Sequence, residues 1–208
     1  LVLAMKGYIE QGRLGRILHA QIITGQYLPD WRPAMDYRRS VSAQRSLGGG
    51  VIRELSHELD MLLWLLGRPH SVCSLVENTG SLDIDTEDQL DALLKMTSGT
   101  TVNLHLDMLR QDPQRQWLLT GTEGSLRVDL LSQTLQWQSV KNKNLEEHAY
   151  PLSRDELFCN QLQNFIDYLL NKCNWKGASL RDGLAALRLV EALENSHANQ
   201  RWIKLDDF

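Results

Sequence analysis

The amino-acid sequence predicts an α+β domain in which an open, mostly antiparallel β-sheet carries helices on one face. Segments with the two-residue alternation of strands fill the middle of the chain, and segments with helical spacing stand at its start, middle and end. Length is a third observation, because 208 residues suit one hydrophobic core better than two small ones. Residues 1–208 are therefore expected to form a single domain.

The first elements in order are a helix, a strand and a long loop. Leu1, Met5 and Tyr8 have helical spacing, so the chain is expected to begin inside a helix. Residues 16–27 alternate and contain β-branched side chains, which favours a strand. Residues 28–47 are polar and broken by prolines, and their aromatic and arginine side chains favour a binding loop over disorder.

The remaining elements are one helix, a run of strands and two closing helices. A helix is predicted within residues 48–67, because its leucines recur with a period near 3.6. Strands are predicted at 71–78, 89–96, 101–106, 117–120, 125–130 and 134–140. The closing helices are predicted at 154–170 and 180–196, and Ser179 is the expected N-cap of the second.

The sheet face that the helices leave uncovered also has a predicted role. Its strands contain Leu, Val and Trp side chains, and a broad face of this kind packs more comfortably on a partner than in water. We therefore expect the chain to form a homo-oligomer through the open sheet face.

Composition excludes several classes of function. A net charge of −4, without a basic stripe, argues against a nucleic-acid surface. The longest apolar run, residues 59–66, is far shorter than the roughly 18 residues needed to cross a bilayer, so no membrane span is expected. Three cysteines without metal-type spacing indicate free thiols in a reducing compartment, which favours the cytoplasm.

The block of residues 48–67 contains the most informative cluster of titratable side chains. Three glycines lead into its helix, and on a helical projection His57 and Asp60 gather on one side, with Glu54 beside them. The opposite side of the helix is an apolar stripe of Ile52, Leu55, Leu59, Leu62, Leu63 and Leu66. An imidazole beside carboxylates suits acid–base chemistry, whereas the ordinary alternative is a solvated helix face.

Several separated segments match one known family in residue type and order. They are Gly12-Arg13-Leu14-Gly15, residues 25–33, the block 48–67, residues 120–126 and the two closing helices. On these segments the chain resembles the C-terminal domain of the Gfo/Idh/MocA family of nicotinamide-dependent sugar and polyol oxidoreductases. The most specific part is Gly-Gly-Gly followed by His57, Asp60 and the ending Trp-Leu-Leu-Gly.

The resemblance implies a two-domain enzyme that acts on a hydroxyl of a sugar, sugar acid or nucleotide-sugar. An N-terminal Rossmann domain would bind NAD or NADP, and this chain would bind the carbohydrate substrate. The chain contains neither Gly-x-Gly-x-x-Gly after an opening strand nor the Glu-Lys-Pro segment of the family's catalytic lysine. The Rossmann domain is therefore expected to be absent from this chain, and the chain alone is expected to be inactive.

The resemblance also assigns roles within the block. His57 matches the family's catalytic histidine, which assists proton transfer at the substrate hydroxyl. Glu54 stands where this branch usually has aspartate, and Arg53 stands where many relatives have their acid, which is a departure from the pattern. Asp60 matches an aspartate that binds substrate hydroxyls or orients the imidazole, and a polar helix residue is the alternative.

The loop of residues 28–47 and its approach supply the remaining candidates. Aromatic rings stack on the apolar side of a sugar, and arginine pairs with carboxylate or phosphate. The candidate substrate contacts are Tyr27, Trp31, Arg32, Tyr37 and Arg38. The histidines have no metal-ligand spacing with acids or cysteines, so no metal site is predicted.

A non-catalytic relative that binds a sugar or a protein remains the alternative function.

Overall fold

A computed structural model describes residues 1–175 and 177–205. The strands are β1 Ile17–Gly25, β2 Pro69–Glu77, β3 Gln89–Met96, β4 Thr101–Asp107, β5 Gln114–Gly121, β6 Gly124–Asp129, β7 Thr134–Ser139, β8 Leu145–Ala149 and β9 Ile203–Lys204. The helices are α1 Val2–Glu10, α2 Val51–Glu54, α3 Ser56–Leu66, α4 Arg154–Leu169 and α5 Leu180–Asn199. The described residues form one sheet of nine strands in the order β8-β7-β6-β5-β1-β4-β3-β2-β9.

The sheet is antiparallel at every neighbouring pair except one. β1 and β4, which occupy the centre, run parallel, with Ile22 opposite Leu104. Hairpin strands can only pair antiparallel, and the parallel pair arises because α2, α3, β2 and β3 intervene between β1 and β4. The predicted class, an open and mostly antiparallel sheet with helices on one face, is confirmed.

The hydrophobic core lies between one face of the sheet and the helices α3 and α5. Leu59 and Leu62 of α3 and Leu189 and Leu193 of α5 are buried there, in one cluster that also contains Trp117 of β5. α5 begins at the predicted N-cap, where the Ser179 hydroxyl accepts from the backbone N–H of Asp182 in a capping box. No side chain of α4 is buried.

The predicted helix within residues 48–67 is divided in two. Leu55 has φ −101° and ψ 19°, outside the helical region, so α2 ends there and α3 starts a fresh first turn with Ser56 and His57. The predicted apolar stripe is largely correct: Ile52, Leu55, Leu59 and Leu62 are buried, and Leu63 and Leu66 are partly buried. The strands β8 and β9 were not predicted, and four short 3₁₀ turns occupy the predicted loop.

The glycine run before α2 permits close packing of the chain. Gly50 has φ 114°, and a Cβ at this position would overlap the Glu87 carboxylate. A Cβ on Gly49 would overlap the carbonyl oxygen of Val41. The glycines therefore let Val41 and Glu87 pack closely against the start of α2. Protein atoms fill the space that a side chain would need at these positions.

Gly50→Ala is expected to destabilise the protein by about 2 kcal/mol, because φ 114° lies in a region that residues with a Cβ rarely adopt. Gly183→Ala is the control, since that glycine lies within α5 with nothing near the added Cβ. The control should stabilise by up to about 1 kcal/mol, as alanine favours helix. Urea unfolding measures both, and equal stability of Gly50→Ala and the parent would contradict the account.

Candidate functional site

A hollow of about 290 Å³ lies beside His57. It forms where the C-terminal end of β1, the start of β5 and the junction of α2 with α3 meet. Trp31, Glu54, His57, Gln114 and Arg115 are among its lining residues. Three predicted site residues, Trp31, Glu54 and His57, therefore share one hollow.

The side chain of His57 is 51% exposed, so it is reachable from the hollow. His57 lies in the first turn of α3, two residues after the break at Leu55. The imidazole Nε2 lies 3.4 Å from Oε1 of Glu58. His57 thus has one nitrogen directed at a buried carboxylate.

Glu58 is the buried acid of the site, and the sequence analysis missed it. Its side chain is 0% exposed, and Oε1 accepts a hydrogen bond from Nε of Arg115 at 2.5 Å. Its other oxygen, Oε2, accepts from Nε1 of Trp117 at 3.2 Å. Burial alone would raise the pKa of the Glu58 carboxyl, but contacts with His57 and Arg115 outweigh burial and hold that pKa below its usual value.

One sequence signal pointed to the burial of Glu58. On a 3.6-residue period, position 58 falls on the same stripe as Leu55, Leu59 and Leu62, all of which are buried. A carboxylate on an apolar stripe needs a cationic or hydrogen-bonding partner. That partner, Arg115, lies on a distant strand, so only the folded structure identifies it.

Glu54 and Arg53 have different environments although they are adjacent. Glu54 lines the hollow beside His57. Arg53 forms an ion pair with Glu194 of α5, with 2.8 Å between Nη2 and Oε1. Arg53 is therefore engaged with α5, and it does not line the hollow beside His57.

Asp60 lines a different hollow. This second hollow, about 510 Å³, lies between α3 and the start of α5, and Trp64, Arg181 and Asp182 also line it. Burial, followed by the charge of Asp182, raises the pKa of the Asp60 carboxyl. Asp60 is not among the residues that line the hollow beside His57.

The loop residues divide into two groups. Trp31 reaches the hollow beside His57, and its Nε1 donates to the backbone oxygen of Gln26 at 3.2 Å. Arg32 and Tyr37 line another, small hollow that Trp31 also lines. Tyr27 is partly buried against the core.

Arg38 and Tyr37 are engaged with acidic neighbours. Arg38 forms ion pairs with Asp36 at 2.9 Å and with Asp83 at 3.4 Å. The hydroxyl oxygen of Tyr37 accepts from the backbone N–H of Asp83 at 3.3 Å. These contacts stabilise the loop, and neither residue lines the hollow beside His57.

The open face of the sheet carries a second charged cluster. Nδ1 of His105 lies 2.7 Å from Asp91, Nε2 lies 3.1 Å from Asp107, and Nε of Arg110 donates to Asp107 at 3.0 Å. Hydrogen bonding to Asp107 is the main cause that raises the pKa of His105. Burial would raise the pKa of Asp107, but these hydrogen bonds outweigh it and lower the pKa to about 2.

The Asp107 cluster predicts a pH-dependent contribution to stability. Because the folded-state pKa is lowered, the contribution is present above the usual value of 3.8 and is lost as pH falls toward 2. Asp107→Asn should therefore cost about 2 kcal/mol at pH 7, and the cost should shrink below pH 4. Urea unfolding of parent and variant between pH 3 and pH 7 measures this, and a cost independent of pH would contradict it.

In residues 1–175 and 177–205 there is no group of three or more His, Cys, Asp or Glu placed to hold a metal ion. None of the helices in the described part of the chain is both long and apolar enough to cross a lipid bilayer.

Comparison with known proteins gives one family and one curated relative. Residues 2–127 match the family model described as the GFO/IDH/MocA C-terminal domain. A 1,5-anhydro-D-fructose reductase from Ensifer adhaerens is 27% identical over 125 residues, which are 59% of this chain and 36% of the reductase. The chain thus corresponds to only part of that relative.

Solved structures give the same fold over nearly the whole chain. A levoglucosan dehydrogenase in complex with NADH and levoglucosan aligns with TM-score 0.84 and 17% identity, covering 98% of this chain and 63% of that one. The WlbA dehydrogenase from Bordetella pertussis, in complex with NADH and UDP-GlcNAcA, aligns with TM-score 0.75 and 24% identity, covering 99% and 60%. The chain spans less than two thirds of either structure.

Proposed function

Because this chain belongs to the Gfo/Idh/MocA family, as its C-terminal domain, we propose that it is the substrate-binding domain of an NAD(P)-dependent oxidoreductase. The full-length protein would act on a hydroxyl of a sugar, a sugar acid or a nucleotide-sugar. The observation that carries the proposal is the half-exposed His57 in a hollow that Trp31 and Glu54 also line.

The hollow suits a small carbohydrate. Its 290 Å³ is near the lower end of ligand pockets, which are typically about 300–1,000 Å³. Trp31 offers an aromatic ring to the apolar side of a sugar, while Gln114 and Arg115 offer donors to its hydroxyls. Size and lining together favour a monosaccharide unit as the bound group.

His57 has the chemistry that oxidation of a hydroxyl requires. An imidazole nitrogen can accept a proton and donate it again, so His57 can take the hydroxyl proton as the carbonyl forms and return it in the reverse direction. The nicotinamide would supply the hydride acceptor. Glu54, in the same hollow, is positioned to bind a neighbouring hydroxyl or to exchange a proton with solvent.

The described residues fit only part of a dinucleotide. The hollow beside His57 is too small for a whole NAD(P), and the glycines before α2 are packed against Val41 and Glu87. The cofactor would therefore be held mainly by a dinucleotide-binding domain outside this chain, which would bring the nicotinamide to the rim of the hollow.

The closing helices α4 and α5 expose apolar side chains, which favours the proposal that a second domain packs on them. α4 has no buried side chain, although it carries Leu157, Phe158, Leu162, Phe165 and Ile166. α5 exposes Leu180, Leu184 and Leu187 on its outer side. An amphipathic helix of this length gains most of its stability from packing, so a partner surface of the same polypeptide is the proposed cover.

The test is an assay of the full-length gene product with a panel of sugars, sugar acids and nucleotide-sugars, each with NAD and NADP. The expected result is nicotinamide reduction with at least one substrate, and no turnover by residues 1–208 alone. Absence of turnover in either direction, together with tight binding of a sugar, would favour the alternative, a non-catalytic binding protein. Arg53 and Glu54 are the two residues that favour this alternative, because both depart from the family pattern that the resemblance implies.

The open sheet face is the proposed surface of a homo-oligomer. Leu75 and Leu93 are exposed there, 48% and 43%, around a shallow hollow of about 590 Å³. Leu93→Asp is expected to convert the oligomer to monomer in light scattering, because it would bury an unpaired charge. Val140→Asp is the control, since that exposed valine lies in a turn after β7. A monomeric parent protein would overturn the assignment.

The proposed compartment is the cytoplasm. Cys73, Cys159 and Cys173 are free thiols in the structure, which agrees with a reducing environment. Cell fractionation followed by detection of the full-length protein tests this, and recovery in an oxidising compartment would contradict it.

A further inference from the structure

We infer that the buried carboxylate of Glu58 positions the imidazole of His57. It receives the Nε2–H of His57 and so leaves Nδ1 as the nitrogen that meets the substrate hydroxyl. The inference rests on the proposed function, since it concerns how that function's acid–base group is oriented. The observation is the contact of 3.4 Å between Nε2 of His57 and Oε1 of Glu58.

Glu58 is fixed in place by two residues of β5. Arg115 and Trp117 are two positions apart on the strand, so their side chains point to the same face. Arg115 holds Oε1 at 2.5 Å, and the fully buried Trp117 holds Oε2 at 3.2 Å. With both oxygens engaged, the carboxylate has one orientation, which directs Oε1 toward His57.

His57 needs a hydrogen-bond partner to fix its ring, because few protein atoms surround its side chain. Its side chain is 51% exposed, and a half-exposed ring otherwise exchanges between rotamers and tautomers. A hydrogen bond accepted from one ring nitrogen fixes the tautomer, so the other nitrogen carries the lone pair that a base requires. Precise orientation of this kind is worth far more to a rate than to binding.

The other charged groups near His57 do not make this contact. Glu54, from α2, and Arg115, from β5, line the same hollow, and Asp60, one turn further along α3, lines the neighbouring one. Among these groups, Glu58 is the carboxylate that lies within 3.4 Å of an imidazole nitrogen of His57.

Stability alone does not account for the buried pair. A buried ion pair is often no more stabilising than apolar side chains of the same volume, because both charges lose their hydration. The pair of Glu58 with Arg115 lies directly under the residue proposed as the acid–base group. A role in orienting His57 explains why the Glu58 carboxylate is buried at this place.

The test uses Glu58→Gln in the full-length protein, with two measurements. Nitrogen-15 NMR of the neutral His57 ring should show a single tautomer, protonated at Nε2, in the parent and a mixture in the variant. Kinetics should show kcat lowered about 10- to 100-fold with KM changed less than about twofold, as expected when orientation alone is lost.

Glu146→Gln is the control, because it breaks the ion pair with Arg13 at 2.6 Å, remote from the hollow, and it should leave both measurements unchanged. If Glu58→Gln does not fold, Glu58→Asp keeps the charge but withdraws it from the ring by one methylene, and it should show the same changes to a smaller degree.

Three outcomes separate the inference from the function on which it rests. If the parent is active and Glu58→Gln folds but keeps the parent's tautomer and kcat, the inference is overturned and the function stands. If kcat falls while the tautomer does not change, the positioning role is also overturned. If the parent lacks turnover but the tautomer changes as expected, the proposed function fails while the Glu58 contact holds.

Discussion

His57→Ala in the full-length protein should lower kcat by about 10²- to 10⁴-fold, which is the usual contribution of a positioned acid–base group. The reason is that no other imidazole lines the hollow among the described residues, so the hydroxyl proton loses its acceptor. Sugar affinity should change little, because the side chain is half exposed and the walls of the hollow remain. Steady-state kinetics and calorimetric titration with the sugar measure the two quantities.

His70→Ala is the matched control for this substitution. His70 is also exposed, but it lies in β2, outside the hollow, and its replacement should change neither quantity. A His57→Ala protein that keeps the parent's kcat would remove His57 from the reaction. Loss of sugar affinity with unchanged kcat would assign it to binding.

Arg115→Ala should destabilise the protein by about 3–5 kcal/mol at pH 7, the usual cost of leaving a buried charge without its partner. The charge in question is Glu58, which is 0% exposed and loses its 2.5 Å contact with Arg115. Urea unfolding monitored by tryptophan fluorescence measures the loss.

The pH dependence of this effect has a defined sign. The pKa of Glu58 is lowered in the folded protein, so its ion-pair contribution is present above its usual value of 4.5 and is lost as pH falls. Protonation of Glu58 also relieves the unpaired charge in Arg115→Ala. The difference between parent and variant should therefore shrink below about pH 4.

Arg127→Ala is the control for charge removal. Arg127 is exposed on β6, and its replacement should change stability by no more than about 0.5 kcal/mol. A cost for Arg115→Ala as small as that of the control, or a cost that grows toward acid pH, would show that Arg115 does not neutralise Glu58.

Most elements could be predicted from the sequence because local pattern determines them. The hairpin of β3 with β4 has alternating side chains around Gly99, and α5 has an N-cap serine and an apolar stripe. β8 lacked a signal, since its side chains are almost all exposed. β9 has only two residues, too few to establish a pattern.

Features that depend on tertiary contacts could not be predicted from the local sequence pattern. The parallel pairing of β1 with β4 depends on how the intervening helices return the chain to the sheet. The break at Leu55 is invisible to periodicity, because the apolar spacing continues across it from Ile52 to Leu59.

The site could be predicted in part. His57, Glu54 and Trp31, three of the predicted site residues, line one hollow. Asp60 shares the helix of His57 but faces α5, because a shift of three residues rotates a side chain by about 60° around the axis. Arg38 is instead engaged with Asp36 and Asp83. The roles of all these residues in binding remain predictions.

The most direct test of the central claim is a crystal structure of the full-length protein with NAD(P) and a sugar substrate. The account predicts the sugar in the hollow beside Trp31 and Glu54, with a ring nitrogen of His57 about 2.6–3.2 Å from the hydroxyl that reacts. A sugar bound beside Asp60 or on the open sheet face, with His57 out of reach of any hydroxyl, would contradict it.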